Sequence, residues 1–191
     1  MNYSKTERQK YQQIWESVDY ASGNAVKFAD IVHHIIINDN QLEHFRQIVD
    51  LGCGSGATMS ELLKLGHRDV YGIDITLLGI RNISKTRLLR APLWEMSYKV
   101  MYKSSLCYAD YSISTDVLEH IPPGLVAQTI QEIFTITRYK TIHAICTRPC
   151  VVKHFGYELH LTIKPLAWWK EQFDRLNKKG IEVILMDADK L

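Results

Sequence analysis

Apolar positions near the amino terminus repeat with a helical period. Tyr11, Ile14, Trp15 and Val18 fall on one face, and an apolar-rich run from Ala25 to Ile37 follows the turn-forming stretch DYASGN. Two helices are predicted there. After Asn40 the pattern changes to short β-rich runs alternating with amphipathic stretches. In order these are QIVDL, a stretch with Met59, Leu62 and Leu63, then DVYGIDI, LLGIRNISKTRLL and YSISTD. They continue with a face of Val126, Ile130, Ile133 and Phe134, then KTIHAICT, a stretch with Trp169, Phe173 and Leu176 that Pro165 can start, and IEVILM. Such alternation predicts an α/β protein whose mainly parallel, doubly wound sheet is covered by helices on both faces. The least regular part, APLWEMSYKVMYKSSLCYAD, reads as loops around one short strand. No repeat, low-complexity tract or linker interrupts the pattern, so one domain is expected, with a helical segment over 1–40 and the core over 46–191.

Composition narrows the function classes. With 191 residues, 46% of them hydrophobic, the chain can bury a sizeable core, and a net charge of +2 is too mild to argue by itself for nucleic acid or an anionic membrane. No apolar run is long enough to span a membrane and MNYSKTERQKYQQ is too polar for a signal peptide, which makes the cytoplasm the expected location. Cys53, Cys107, Cys146 and Cys150 form no C-x-x-C pair and read as reduced thiols without a zinc site.

The chemistry concentrates in VDLGCGSG, where Gly52, Gly54 and Gly56 follow the first strand-like run. In a doubly wound sheet this turn is the usual ligand contact, and glycines let a ligand lie against the main chain at a helix amino terminus. Asp74 closes the second strand-like run, where a carboxylate can accept from both ribose hydroxyls; its plainer reading is a helix cap. Glycine turn plus ribose acceptor predicts a nucleoside cofactor. Read as G-x-G-x-x-A with Ala57 last, the loop is a degenerate dinucleotide fingerprint, which is a weak signal. Asp50 just before the turn and STDVLEHIPP after the fourth strand-like run point elsewhere.

With those two motifs in that order, the chain resembles the class I S-adenosylmethionine-dependent methyltransferases, whose first motif has the form acidic-x-G-x-G-x-G. The resemblance runs from Ile48 to Met186, and DVLEHIP is most similar to the subgroup containing ubiquinone-biosynthesis O-methyltransferases. It implies a Rossmann-like fold with S-adenosyl-L-methionine as cofactor. Asp50 would lie near the methionine ammonium, the three glycines under the methionine and ribose, and Asp74 on the ribose. Leu93 and Trp94 would flank the adenine, although an indole is as often core, and Asp116 would stand beside the methionine and the acceptor. Tyr20 and Gly23 fold over the cofactor in some relatives; a simple turn is the alternative. The family usually ends in an antiparallel strand pair, whereas this sequence stops soon after IEVILM, so its last strand is expected to be missing or supplied differently.

A sulfonium methyl is displaced in line by a nucleophile, and the enzyme mostly supplies proximity and orientation. For a hydroxyl acceptor an imidazole base helps, and His120 and His160 are the candidates. Similar acidic-x-x-Glu-His stretches carry metal in some relatives, which implies a divalent ion held by Asp116, Glu119, His120 and His160. Asp116 is shorter than the Glu of those relatives. In the alternative, Glu119 and His120 only orient the strand end and His120 is a metal-free base. His33 and His34 read as ordinary helix residues. Three functions stay open: methylation of an oxygen or nitrogen on a small molecule or glycan, methylation of RNA or DNA with Arg81, Lys85, Arg87 and Arg90 on phosphates, and a non-catalytic cofactor-binding subunit. The plainer reading of the basic set is a solvated helix face. A dehydrogenase is a distant fourth reading, and the oligomeric state is left open.

Overall fold

The computed structural model describes residues 3–17, 24–39, 46–103, 108–150 and 155–191; Val18, Tyr20, Gly23 and Cys107 lie outside them. Helices α1 (Tyr3–Ser17) and α2 (Ala25–Ile37) precede the sheet, as the periodicity predicts. Then follow β1 (Ile48–Leu51), α3 (Ala57–Lys64), β2 (Val70–Asp74), β3 (Leu88–Arg90) and α4 (Ser97–Lys103). The chain continues through β4 (Ala109–Thr115), α5 (Val126–Ile136), β5 (Thr137–Ile145), α6 (Leu166–Leu176) and β6 (Glu182–Asp187). The six strands form one sheet in the order β3-β2-β1-β4-β5-β6, and every pairing is parallel. Strand order reverses between β1 and β4, and crevices for ligands open at such a point.

Strand periodicity divides the core into two layers. Val49 and Leu51 of β1 join Val100, Ile130, Ile133, Phe134, Trp169 and Phe173 on the face covered by α4, α5 and α6. Ile48 of β1, with Tyr111 and Ile113 of β4, meets Phe28, Val32 and Ile36 of α2 and Met59 and Leu62 of α3 on the other. Between β4 and β5 the core is polar and saturated. Ser112 pairs with Thr141 at 2.7 Å, Ser114 with His143 Nδ1 at 2.7 Å, and Thr137 donates to Ser112 at 2.8 Å. Burial pushes His143 down to about 3, so its ring is neutral within this ladder.

Two expectations are corrected. LLGIRNISKTRLL is not an amphipathic helix. It runs as an irregular segment with Asn82 at φ 60°, a 3-10 turn over Lys85–Arg87, and then β3. Gly79 cannot take a side chain, since a Cβ there would stand 2.5 Å from the Trp15 indole, and Ile80 and Ile83 pack against the α2/α3 layer. APLWEMSYKVMYKSSLCYAD does not hold its short strand within loops. Strand β3 comes before it, and the stretch forms a 3-10 turn over Leu93–Glu95 followed by α4. The cause is long-range: from α5, Gln128 donates to the Trp94 carbonyl at 2.6 Å and Glu132 accepts from the Ser97 N–H at 2.6 Å. Finally, β6 pairs directly with β5, and no antiparallel strand appears in the sheet among the described residues.

Candidate functional site

The glycine turn is built by its neighbours. The N–H groups of Gly52 and Cys53 both donate to the Ile73 carbonyl, at 2.7 and 3.1 Å, which curls the chain off β1 toward β2. Gly52 has φ 71°, and a Cβ there would meet Val117 at 2.6 Å, so the turn and the segment after β4 are too close for any other residue. The Gly54 N–H then donates to Asp74 Oδ2 at 2.9 Å, and the Thr76 N–H holds Oδ1 at 2.9 Å. Gly56, at φ 78°, caps α3. Asp74 is therefore fixed at the end of β2, with carboxylate lone pairs left over for a ligand.

Around this turn lies a cleft in two halves. The apolar half, about 110 Å³, is lined by Asp74, Ile75, Pro92, Leu93, Trp94, Val117 and His120. The polar half, about 260 Å³, is lined by Asp50, Gly52, Ser55, Thr115, Asp116 and His160. Gly52, Gly54, Asp116, His120 and Trp15 border both. The structure thus gathers every predicted cofactor residue except Gly56 onto the cleft wall. Trp94 serves two readings at once, since it faces the cleft, packs in the α4/α5/α6 layer and donates its Nε1–H to Ser4 at 3.1 Å. Asp116 takes φ 54°, an uncommon conformation that an aspartate tolerates, and Asn24 Nδ2 donates to its carboxylate at 3.1 Å.

Helix α1 is the part that the sequence pattern missed. Its apolar repeat is legible, but not that Glu7, Tyr11, Ile14 and Trp15 roof the apolar half. Tyr11 shares a 2.8 Å hydrogen bond with His120 Nδ1, and the Trp15 indole lies over the glycine turn, 3.4 Å from where a Gly54 Cβ would be.

Burial controls the charges. It raises Asp50 to about 7, with Asp74 adding to the effect, and raises Asp74 to about 6 against the pull of its main-chain N–H donors. His120 is lowered to about 3 by burial and then by His160 and Lys10, so it stands neutral and weakly basic. The four residues expected to share a metal do not converge as one group. Among the described residues, Glu119 and His160 meet Cys146, with ligand atoms all within 4.8 Å of one another, while Asp116 and His120 stand outside that cluster. Cys146, read from the sequence as a reduced thiol, is a free cysteine that stands beside these two residues. Glu119 is 0% exposed and neither carboxylate oxygen has a hydrogen-bond partner. Burial raises it to about 8; main-chain N–H groups of Glu119 and Cys146 oppose this without closing a hydrogen bond.

The basic residues do not line up. Arg81 and Lys85 are exposed, Arg87 donates to the carbonyls of Arg68 and Val70, and Arg90 borders a separate groove with Lys5, Arg8 and Lys99. His33 and His34 lie on α2, away from the cleft, with His33 paired to His67 at 3.1 Å. Among the described residues no helix is long and apolar enough to cross a membrane.

Residues 49–145, just over half of the chain, match the family profile of a methyltransferase domain. Curated protein sequences give no match. Among solved structures, magnesium protoporphyrin IX methyltransferase from Synechocystis PCC 6803 with bound S-adenosylmethionine is similar at 15% identity and a TM-score of 0.60, covering 92% of this chain and 86% of that one. The 1,6-didemethyltoxoflavin-N1-methyltransferase of Burkholderia thailandensis, with bound 1,6-didemethyltoxoflavin and S-adenosylhomocysteine, gives 14%, 0.55, 90% and 72%. A S-adenosylmethionine-dependent methyltransferase from Archaeoglobus fulgidus gives 18%, 0.54, 79% and 71%. At these identities the likeness is one of fold.

Proposed function

Since the chain belongs to the methyltransferase domain family and is a S-adenosylmethionine-dependent enzyme, we propose that it methylates an oxygen or nitrogen of a small molecule or glycan. The observation that carries this reading is the roof of α1 over the apolar half of the cleft, which narrows the approach to a pocket of small-molecule size where a nucleic acid would need a broad, basic one. The scattered positions of Arg81, Lys85, Arg87 and Arg90 support it further. So do the small acceptors in the names of the Synechocystis and Burkholderia enzymes.

In the proposed pose the adenine lies between Leu93 and Trp94, the ribose hydroxyls donate to Asp74, and the glycine turn underlies the ribose and methionine. Asp50 takes the ammonium side, directly or through water. Asp116 borders the methyl group, and the acceptor enters beside Thr115 and His160. Of the two candidate bases on the cleft, His120 is the poor one for a hydroxyl acceptor, since Tyr11 holds its Nδ1 and burial leaves it weakly basic. No covalent residue is needed, since orientation of the nucleophile behind the methyl carbon supplies most of the rate.

Incubation with methyl-labelled cofactor and a fractionated cell extract tests the reading. Label in low-molecular-mass or glycan fractions is expected. Label confined to RNA or DNA overturns it, and tight cofactor binding without transfer to any fraction moves the chain to the role of a cofactor-binding subunit. A tight NAD complex with no response to S-adenosylmethionine in calorimetry removes the cofactor pose altogether.

A further inference from the structure

Glu119 poses a problem that the methyl-transfer cleft does not solve. A carboxyl group with no exposed surface and no partner on either oxygen is rare in a folded chain, because even the protonated form needs an acceptor for its O–H. Two further donor atoms face the same point. Cys146, at the end of β5, and His160 bring Sγ and a ring nitrogen within 4.8 Å of each other and of a Glu119 oxygen. We propose that Glu119, Cys146 and His160 bind a single zinc ion.

The frame of this site is held by main-chain bonds. The N–H groups of Leu161 and Thr162 donate to the Glu119 carbonyl at 2.8 and 2.9 Å, and the Thr162 hydroxyl donates to Ile121 at 2.6 Å. The segment carrying His160 is thus clamped to the turn carrying Glu119. His160 Nδ1 lies 2.7 Å from the Arg148 carbonyl, an arrangement that places the proton on Nδ1 and leaves Nε2 with a free lone pair. A histidine oriented by a carbonyl in this way is the usual form of a metal ligand. An ion with bonds of about 2.0–2.3 Å spans the three atoms with small rotamer adjustments.

Donor chemistry selects the metal. Thiolate, imidazole and carboxylate together suit zinc, whereas magnesium and calcium take oxygen ligands and bind poorly to sulfur. Charge agrees. The thiol and carboxyl protons leave to solvent on coordination, and the thiolate and carboxylate then balance a dication, so no uncompensated charge remains in the core. A water completes four ligands, while the Asp189 carboxylate, 3.8 Å from the sulfur, is paired with Arg148 Nε at 2.7 Å. The ion would join the turn after β4, the end of β5 and the 158–162 segment. His160 also borders the polar half of the cleft, so the metal fixes one wall of the acceptor entrance. This ligand set differs from the one that the DVLEH resemblance implies, since it omits Asp116 and His120 and uses a cysteine.

Cobalt is the probe, because it replaces zinc in such sites and reports its ligands by absorption. The full chain is stripped with chelator and titrated with Co2+, with cofactor calorimetry and circular dichroism as separate controls for fold. One cobalt per chain is expected, with tetrahedral visible bands, a thiolate-to-cobalt charge-transfer band, and displacement by zinc. Cys146→Ser should lose the charge-transfer band, Glu119→Gln and His160→Ala should each weaken cobalt binding at least tenfold, and Cys150→Ser should change neither. Absence of a stoichiometric cobalt complex in the wild-type chain overturns the proposal, as does a charge-transfer band that survives in Cys146→Ser. The wild-type spectrum decides the matter even where a variant fails to fold, and it does so whether or not S-adenosylmethionine binds.

Discussion

Asp50 and Asp74 lie 3% and 8% exposed on the same cleft wall, and burial holds both carboxyls far above the ordinary aspartate range. The proposed cofactor would reverse this, because its ammonium and sulfonium charges and ribose hydroxyls all favour the ionised form. Binding is therefore expected to release protons, and affinity for S-adenosylmethionine should rise between about pH 5.5 and 8, with the released protons detected by calorimetry in buffers of different ionisation enthalpy. A flat affinity profile would detach these two residues from the cofactor. Asp74→Ala should weaken binding by about 1–3 kcal/mol, the range for hydrogen bonds to a charged group. Gly54→Val should abolish it in the same titration, since φ 52° and the Trp15 ring at 3.4 Å leave a branched side chain no room. Asp74 was legible in the sequence because strand end, glycine turn and acid recur at fixed spacing. In the cluster around Glu119 the resemblance had already named His160, but not Cys146, which comes from 27 positions away at the end of β5, a meeting that no local pattern encodes.

At the level of elements, the long helices and every strand but β3 followed from period alone. Helix α5 buries Val126, Ile130, Ile133 and Phe134, the face that the spacing marks, and Thr129 fills the remaining gap. Segments 76–90 and 91–103 did not follow, because distant side chains fix their shape: Trp15 occupies the space over Gly79, and Gln128 and Glu132 of α5 hold the turn and the start of α4. This makes Glu132 a cap supplied from another helix. Glu132→Ala should lower stability by about 1 kcal/mol, typical for loss of a helix cap, seen as a shifted urea midpoint with unchanged slope. The same lack of a regular helix over 81–90 means that charge reversal at Arg81 and Lys85 should leave methyl transfer to a small acceptor and its salt dependence unchanged.

Across the whole molecule, opposed titrations should cancel. Asp50 and Asp74 keep their protons in the folded state well above their unfolded values, so they make stability fall as pH rises from about 4 to 7. His143 and His67 refuse protons that the unfolded chain would bind, so they make stability rise as pH climbs toward 6.5. Glu119 and His120 form a further opposed pair. Chemical denaturation of the chelator-treated protein should accordingly show a nearly level stability between about pH 5 and 6. Asp50→Asn unbalances the set, and its stability should gain up to about 1.4 kcal/mol per pH unit in that window, the value for one proton. The roof over the cleft carries a consequence for the timing of turnover. Trp15 stands at the junction of the two halves, so a ligand that spans both must displace the indole once to enter with its methyl group and again to leave without it. Departure of the spent thioether should then be the slow event in each cycle. Trp15→Ala would shorten its residence time, relieve product inhibition and produce the largest gain at saturating cofactor, a change that stopped-flow displacement and the initial burst of methylated product would both record.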